Sequence, residues 1–320
     1  MNRRVLLRCS RAVVIFLTVV IAGLMAARLA VTPVRAADKR IVLIAGRPSH
    51  PPGMHEFRAG CLLLQKALAG VPGISVQVYD GGWPAKTVDG ARVEDSAALD
   101  TADAVLIFSD GGKGHPAIQG DHAKVLDAVA ARGAGLGFAH YAVEVPAGAS
   151  GEAMQRWNAG YYETLWSVNP MWKPAFDKFP NHPVTRGVKP FATHDEWYFN
   201  MRWAADPSVK GRLTPLLVAT PSDEVRKGPY VSPRGPYDHI VADSGKAETM
   251  MWVYERPDGG RSFGFTGGHT HTNWGDPNQR KIMLNALLWI AKVEVPAQGV
   301  QDKITEADLA MNLDEKPQRK

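Results

Sequence analysis

The chain has 320 residues, 45% of them hydrophobic and 22% charged, a balance that excludes a disordered or fibrous protein and supports a sizeable core. Its formal charge of +5 belongs to the first 36 residues, which hold six arginines and no acid. The remainder carries 31 basic against 32 acidic residues, so the electrostatic case for a nucleic-acid partner disappears.

In chain order, Arg3, Arg4, Arg8 and Arg11 precede an apolar run from Ala12 to Ala27, and small residues follow at Val34-Arg35-Ala36-Ala37. A basic segment, an apolar core and a small-residue site make a secretory signal over 1–36, with cleavage expected after Ala36. An uncleaved anchor is the alternative, and any membrane contact is expected through this segment alone. Arg3-Arg4 also permits a twin-arginine signal. Either way the folded part, residues 38–293 with a tail over 294–320, is expected in a periplasm or secreted. Cys9 lies in the leader and Cys61 stands alone beyond it, which excludes an intrachain disulfide and a CxxC zinc site.

The run KRIVLIAG from Lys39 to Gly46 predicts a strand buried on both faces. A helix is expected from Met54 to Leu68, with Phe57, Cys61, Leu64 and Leu68 at helical spacing. Strands follow at Ile74–Tyr79 and Ala104–Phe108, a helix at Ile118–Ala131, and a strand at Gly135–Ala139 that stops at His140. Strands alternating with helices at this pitch predict βαβ crossovers and a mainly parallel sheet with helices on both faces. From Trp157 to Trp203, 47 residues hold 12 of the 26 aromatics beyond the leader, so an irregular aromatic-rich insertion is expected. Leu213–Ala219 predicts a strand, Thr249–Tyr254 and Ser262–Thr266 a hairpin, and Asn278–Lys292 a last helix. The charged tail after Gln298 is expected to be mobile or loosely docked.

In a parallel sheet the site lies beyond the carboxyl ends of the strands, which selects His50, His55, Asp110, His115 and His140. Gly135-Leu136-Gly137-Phe138-Ala139-His140 describes a tight strand-to-helix elbow, a place where related architectures present a nucleophile. An imidazole there suits a general base or a metal ligand near neutral pH. His269 and His271 follow a strand within Gly267-Gly268-His269-Thr270-His271 and would share one face of extended backbone. His194-Asp195-Glu196-Trp197-Tyr198 combines carboxylates with aromatics, the pairing that grips sugars, and either acid could equally serve in proton transfer or ligation. Gly111-Gly112-Lys113-Gly114-His115 lacks the spacing of a phosphate-binding loop, and no GxGxxG follows the first strand, so no nucleotide is expected. No GxSxG surrounds Ser49 or Ser109.

Taken together, IVLIAGRPSH, GAGLGFAH, NHPVTRGV, HDEWY and GFTGGHTHTNWGDPNQRKIMLNALLWIA resemble the ThuA-like (trehalose utilisation) family, in the expected order from Lys39 to Lys292. The resemblance implies a flavodoxin-like, class I glutamine amidotransferase-like α/β fold in which His140 stands where the amidotransferases keep a cysteine. It also implies a link to disaccharide catabolism and the handling of oxidised (keto) sugars beside sugar dehydrogenases. Pro51-Pro52 expands the first loop relative to the family, and Trp157 to Phe179 is unusually aromatic.

The expected function is therefore that of an exported carbohydrate-active protein acting on a disaccharide, glycoside or keto-sugar. His140, Glu196 and His269 are the expected catalytic residues. His50, His55, Asp110, Trp197, His271 and Trp274 are the expected substrate contacts. His50, His140 and His269 are the expected ligands of a divalent metal such as Zn²⁺. The alternative is a non-catalytic sugar-binding protein that serves a dehydrogenase. An amidase on this scaffold is disfavoured, because Cys61 falls inside a helix.

Overall fold

In a computed structural model, which describes residues 38–316, seven strands form where the short apolar runs predict them. They are β1 (Lys39–Ala45), β2 (Ile74–Tyr79), β3 (Ala104–Phe108), β4 (Gly135–Ala139), β5 (Leu213–Ala219), β6 (Glu248–Glu255) and β7 (Arg261–Phe265). Their order in the sheet is β5-β6-β7-β4-β3-β1-β2. The pairs from β2 through to β7 are parallel, and β5 and β6 close one edge antiparallel. Every residue of β3 and β4 is buried, as strands covered on both faces require.

Because successive side chains point to opposite faces, β1 feeds two cores. Ile41 and Leu43 join Phe57, Cys61, Leu64 and Leu68 of helix α1 (Phe57–Leu68) and the apolar residues of α4 (Pro277–Ile290). Val42 and Ile44 join Leu126 and Val129 of α2 (His122–Ala131) and Met154 and Trp157 of α3 (Ala149–Asn158). The helices thus cover both faces. α4 starts where Asp276 accepts from the backbone N–H groups of Asn278 (2.8 Å) and Gln279 (3.0 Å), with Pro277 at its first position. Among the described residues no helix is long and apolar enough to cross a membrane. The expected signal or anchor over 1–36 lies outside the described residues.

Several details depart from the sequence expectation. α1 begins at Phe57 rather than Met54, because 51–54 make a turn and a bridge to Thr270. Helix α3 and a hairpin pairing Ala85–Val88 with Ala91–Glu94 were not predicted: α3 is polar on average and the hairpin is almost wholly exposed, so neither advertises a core face. The aromatic stretch contains two short pairings, Gly160–Tyr161 with Arg202–Trp203 and Met171–Trp172 with Asp195–Glu196. The segment after Glu294 is not loosely docked. Val295 and Val300 are buried, each worth roughly 1.5–3 kcal/mol, and a turn of helix at Glu306–Leu309 packs near α1.

The strand order reverses between β1 and β3, since β2 lies on one side of β1 and β3 on the other. A crevice at the carboxyl ends of these strands is the consequence.

Candidate functional site

Loops leaving the carboxyl ends of four strands meet in that crevice. The loop after β1 brings His50 and His55, the loop after β3 Asp110, the elbow after β4 His140, and the loop after β7 His269. Glu196 arrives from the aromatic stretch. His50, His55 and His140 all have left-handed backbone, with φ of 61°, 48° and 54°. Such conformations are costly for residues with a Cβ and collect where geometry serves function. Gly111 lets the β3 loop close on the elbow, since a Cβ there would stand 2.1 Å from the Tyr141 carbonyl oxygen.

The nitrogens converge. His55 Nε2 lies 3.0 Å from His140 Nε2 and 2.9 Å from His269 Nδ1. His269 Nδ1 is 3.3 Å from His140 Nε2 and 2.8 Å from Glu196 Oε2. The far sides of the rings fix their tautomers. His140 Nδ1 faces the Thr266 carbonyl at 3.0 Å and must donate there, and His55 Nδ1 donates to Asp110 Oδ1 at 2.7 Å. Both Nε2 atoms therefore turn lone pairs inward. His269 Nδ1 can offer one hydrogen at most to three acceptors around it.

A cation at the centre answers all four groups at once. Donors about 2.0–2.1 Å from a tetrahedral ion stand about 3.3 Å apart, close to the observed spacings. His55, His140, His269 and Glu196 are thus the set that could hold a metal, all buried with their donor atoms within 4.8 Å of one another. Neutral imidazoles with one carboxylate suit Zn²⁺ or a similar transition ion. His50, His55 and Asp110 form an adjoining, more open group.

Burial, then the neighbouring histidines, hold the His55 and His140 rings well below the usual imidazole range, so both rings are neutral. Burial pushes Glu196 up, opposed by its contact with His269. The Asn169 amide donates to Glu196 Oε1 at 2.7 Å and fixes that carboxylate. The Tyr198 hydroxyl, 3.3 Å from His140 Nε2, is held protonated by burial. Asp195 accepts from the backbone N–H groups of Gly268 (2.8 Å) and Thr270 (3.0 Å), pinning the loop that carries His269. The His55 N–H donates to the His269 carbonyl at 3.0 Å, which ties the first loop to the last.

A family model described as ThuA, trehalose utilisation, matches residues 75–290. The chain belongs to the ThuA family. A solved putative ThuA-like protein from Bacteroides uniformis is 13% identical, covers 82% of this chain and 94% of its own, and superposes with a TM-score of 0.53. At that identity the likeness speaks for the fold, and with the parallel sheet it supports the flavodoxin-like, class I glutamine amidotransferase-like architecture. A solved cytoplasmic protein of Salmonella typhimurium, 12% identical over 79% of this chain and 98% of its own, has a TM-score of 0.43, too low to carry an argument. No curated protein matches the sequence.

In this ThuA chain His55, Asp110, His140, Glu196 and His269 come together with His50 beside them, and four other candidates, Trp197, Trp274, His271 and His115, take other places. Trp197 is fully buried, its ring edge-on to Phe176 and Phe265 and its N–H donating to the Thr193 carbonyl, so it is a core residue and has no face for a sugar. Trp274 is likewise buried against Phe108 and Phe265. His271 turns away from His269 because a 3-10 turn starts there, and its Nε2 donates to the Leu309 carbonyl. His50 is replaced by His55 in the buried set. It lies tilted against His55 with ring centroids 3.6 Å apart, and its Nδ1 is 3.8 Å from Asp110. His115 is structural, with Nδ1 accepting from Ala117 N–H and Nε2 donating to the Ala142 carbonyl. Asn169 and the Thr266 carbonyl left no trace in the motifs. Asp195 was visible beside Glu196, but its role as a loop anchor was not.

Proposed function

We propose that this protein is an exported carbohydrate-active enzyme that uses a divalent transition ion such as Zn²⁺ to act on a disaccharide, glycoside or keto-sugar. The single observation that carries the reading is the convergence of His55, His140, His269 and Glu196 with no hydrogens to separate the two Nε2 lone pairs. The family's description supplies the link to disaccharides. The basic, apolar and small-residue succession over 1–36 supports export.

When bound, such an ion supplies Lewis acidity toward a substrate carbonyl or hydroxyl oxygen. Asp110 orients His55, the Thr266 carbonyl orients His140, and Asn169 orients Glu196, so the ligands are held in place before substrate arrives. Tyr198 stands beside the centre as a hydroxyl donor. Glu144, half-buried in the elbow after His140 and pushed up to about 7 by burial, holds or releases a proton near neutral pH.

Metal analysis of the purified protein, with NMR product analysis on oxidised and unoxidised disaccharides, tests the proposal. About one transition ion per chain and turnover that disappears in His140→Ala are expected. No stoichiometric metal and no turnover would overturn it. Metal-dependent sugar binding without product would instead assign a sugar-binding accessory role.

A further inference from the structure

Resting on the carbohydrate reading above, we infer that the sugar this site takes is anionic, with its carboxylate or phosphate seated between Arg47 and Arg92. Beside the buried cluster, His50 and Asp110 are partly exposed, with side chains 38% and 37% accessible, which gives the centre an approach from their side. Asp110 also lines a cavity of about 430 Å³, shared with Gly46, Ser109, Arg47, Arg92 and Glu94, a volume in the usual range for small ligands.

The cavity holds two acids and two arginines that do not pair with one another. Its two acids are already engaged: Glu94 Oε2 lies 3.0 Å from His122 Nε2, and Asp110 accepts from His55. Among the described residues its two arginines bond only to backbone carbonyls. Arg47 Nε donates to the Gly81 carbonyl at 3.3 Å, and Arg92 donates to the same carbonyl at 3.4 Å and to that of Trp83 at 2.7 Å. Among the described residues neither guanidinium has a carboxylate partner, although Arg58 close by is paired with Asp80. Two like charges gathered on one backbone oxygen repel each other, and most of their N–H donors have no protein partner among the described residues. A planar or tetrahedral oxyanion between them relieves the repulsion and takes bidentate hydrogen bonds. The geometry therefore favours a uronic or aldonic acid, or a sugar phosphate, with its anionic end on the arginines and its remaining ring toward Asp110 and the histidines.

Calorimetric titration of the purified protein with a neutral disaccharide, its uronate counterpart and a sugar phosphate tests this. The expected result is at least about 10-fold tighter binding of one anionic sugar at low salt, narrowing as salt rises. Which of the two anions gains identifies the source of the charge. The Arg47→Gln/Arg92→Gln variant is expected to bind charged and neutral sugars alike, and Arg47→Lys/Arg92→Lys to keep most of the preference. Thermal melts of both variants verify folding. Equal wild-type affinity for neutral and anionic sugars, or a preference that survives the double Gln variant, would overturn the inference while leaving the carbohydrate reading intact. Failure of every sugar to bind would sink both.

Discussion

Two histidine environments lie beyond the carboxyl edge of the same sheet and behave in opposite ways. Beside the elbow, His115 spends both ring nitrogens on backbone groups, and burial lowers it to about 4, so it is a neutral, satisfied brace. Across the elbow, His55 and His140 spend one nitrogen each, on Asp110 and the Thr266 carbonyl, and turn the other toward a neighbouring imidazole. Burial is the same for both kinds. What separates them is the unspent nitrogen, and only that nitrogen gives a histidine chemistry.

Removing a ring from each environment sharpens the contrast. In His140→Ala the loss should be nearly complete: no stoichiometric transition metal by elemental analysis and no turnover, with the fold retained. In His115→Ala the metal should stay, and the cost should appear as stability, about 1–3 kcal/mol in urea denaturation for two buried backbone groups left unpaired. A variant at position 115 that sheds the metal would break the distinction. Asp110→Asn removes the charge behind His55 without removing the ligand, and metal affinity measured by chelator competition should fall about 10–100-fold. The smallest effect concerns Glu144. Its folded-state pKa, about 7, lies above the usual carboxylate value, so the stability tied to its protonated form is complete below about 4.5 and fades as pH rises through 7. Wild type should lose on the order of 1 kcal/mol between pH 5 and 8 that Glu144→Gln does not lose, read from denaturation midpoints at the two pH values.

The comparison also explains how much was legible in the sequence. The strands of the parallel core were, because a strand covered on both faces must be apolar at every position, as in Ala104–Phe108 and Gly135–Ala139. Chemistry at the strand ends was legible too, because parallel sheets expose one edge to ligands, and His55, Asp110, His140 and His269 all follow strands. Burial within a polar motif was not. Trp197 and Trp274 sit among acids and glycines in sequence yet are packed on Phe265, and nothing local distinguishes a buried indole from a stacking one. Backbone partners such as the Thr266 carbonyl have no residue signature at all, and the tautomer of His140 depends on one. His50 and His55 looked equivalent on either side of Pro51-Pro52-Gly53, and only the tertiary ladder from Gly53 and His55 to His269 and His271 separates them.

The polypeptide past α4 gives the fold a boundary that homology alone would misplace. The family match ends at residue 290, yet the Lys316 ammonium is nearly enclosed, bonded to the Met54 and His55 carbonyls and to Glu56, whose carboxylate also accepts from Gly53 and Asp314. Trimming the protein at the end of the matched span would strip the clasp from the very turn that presents His55. The extension is thus a keystone for the turn that carries His55, and any shortened version should be designed to keep it.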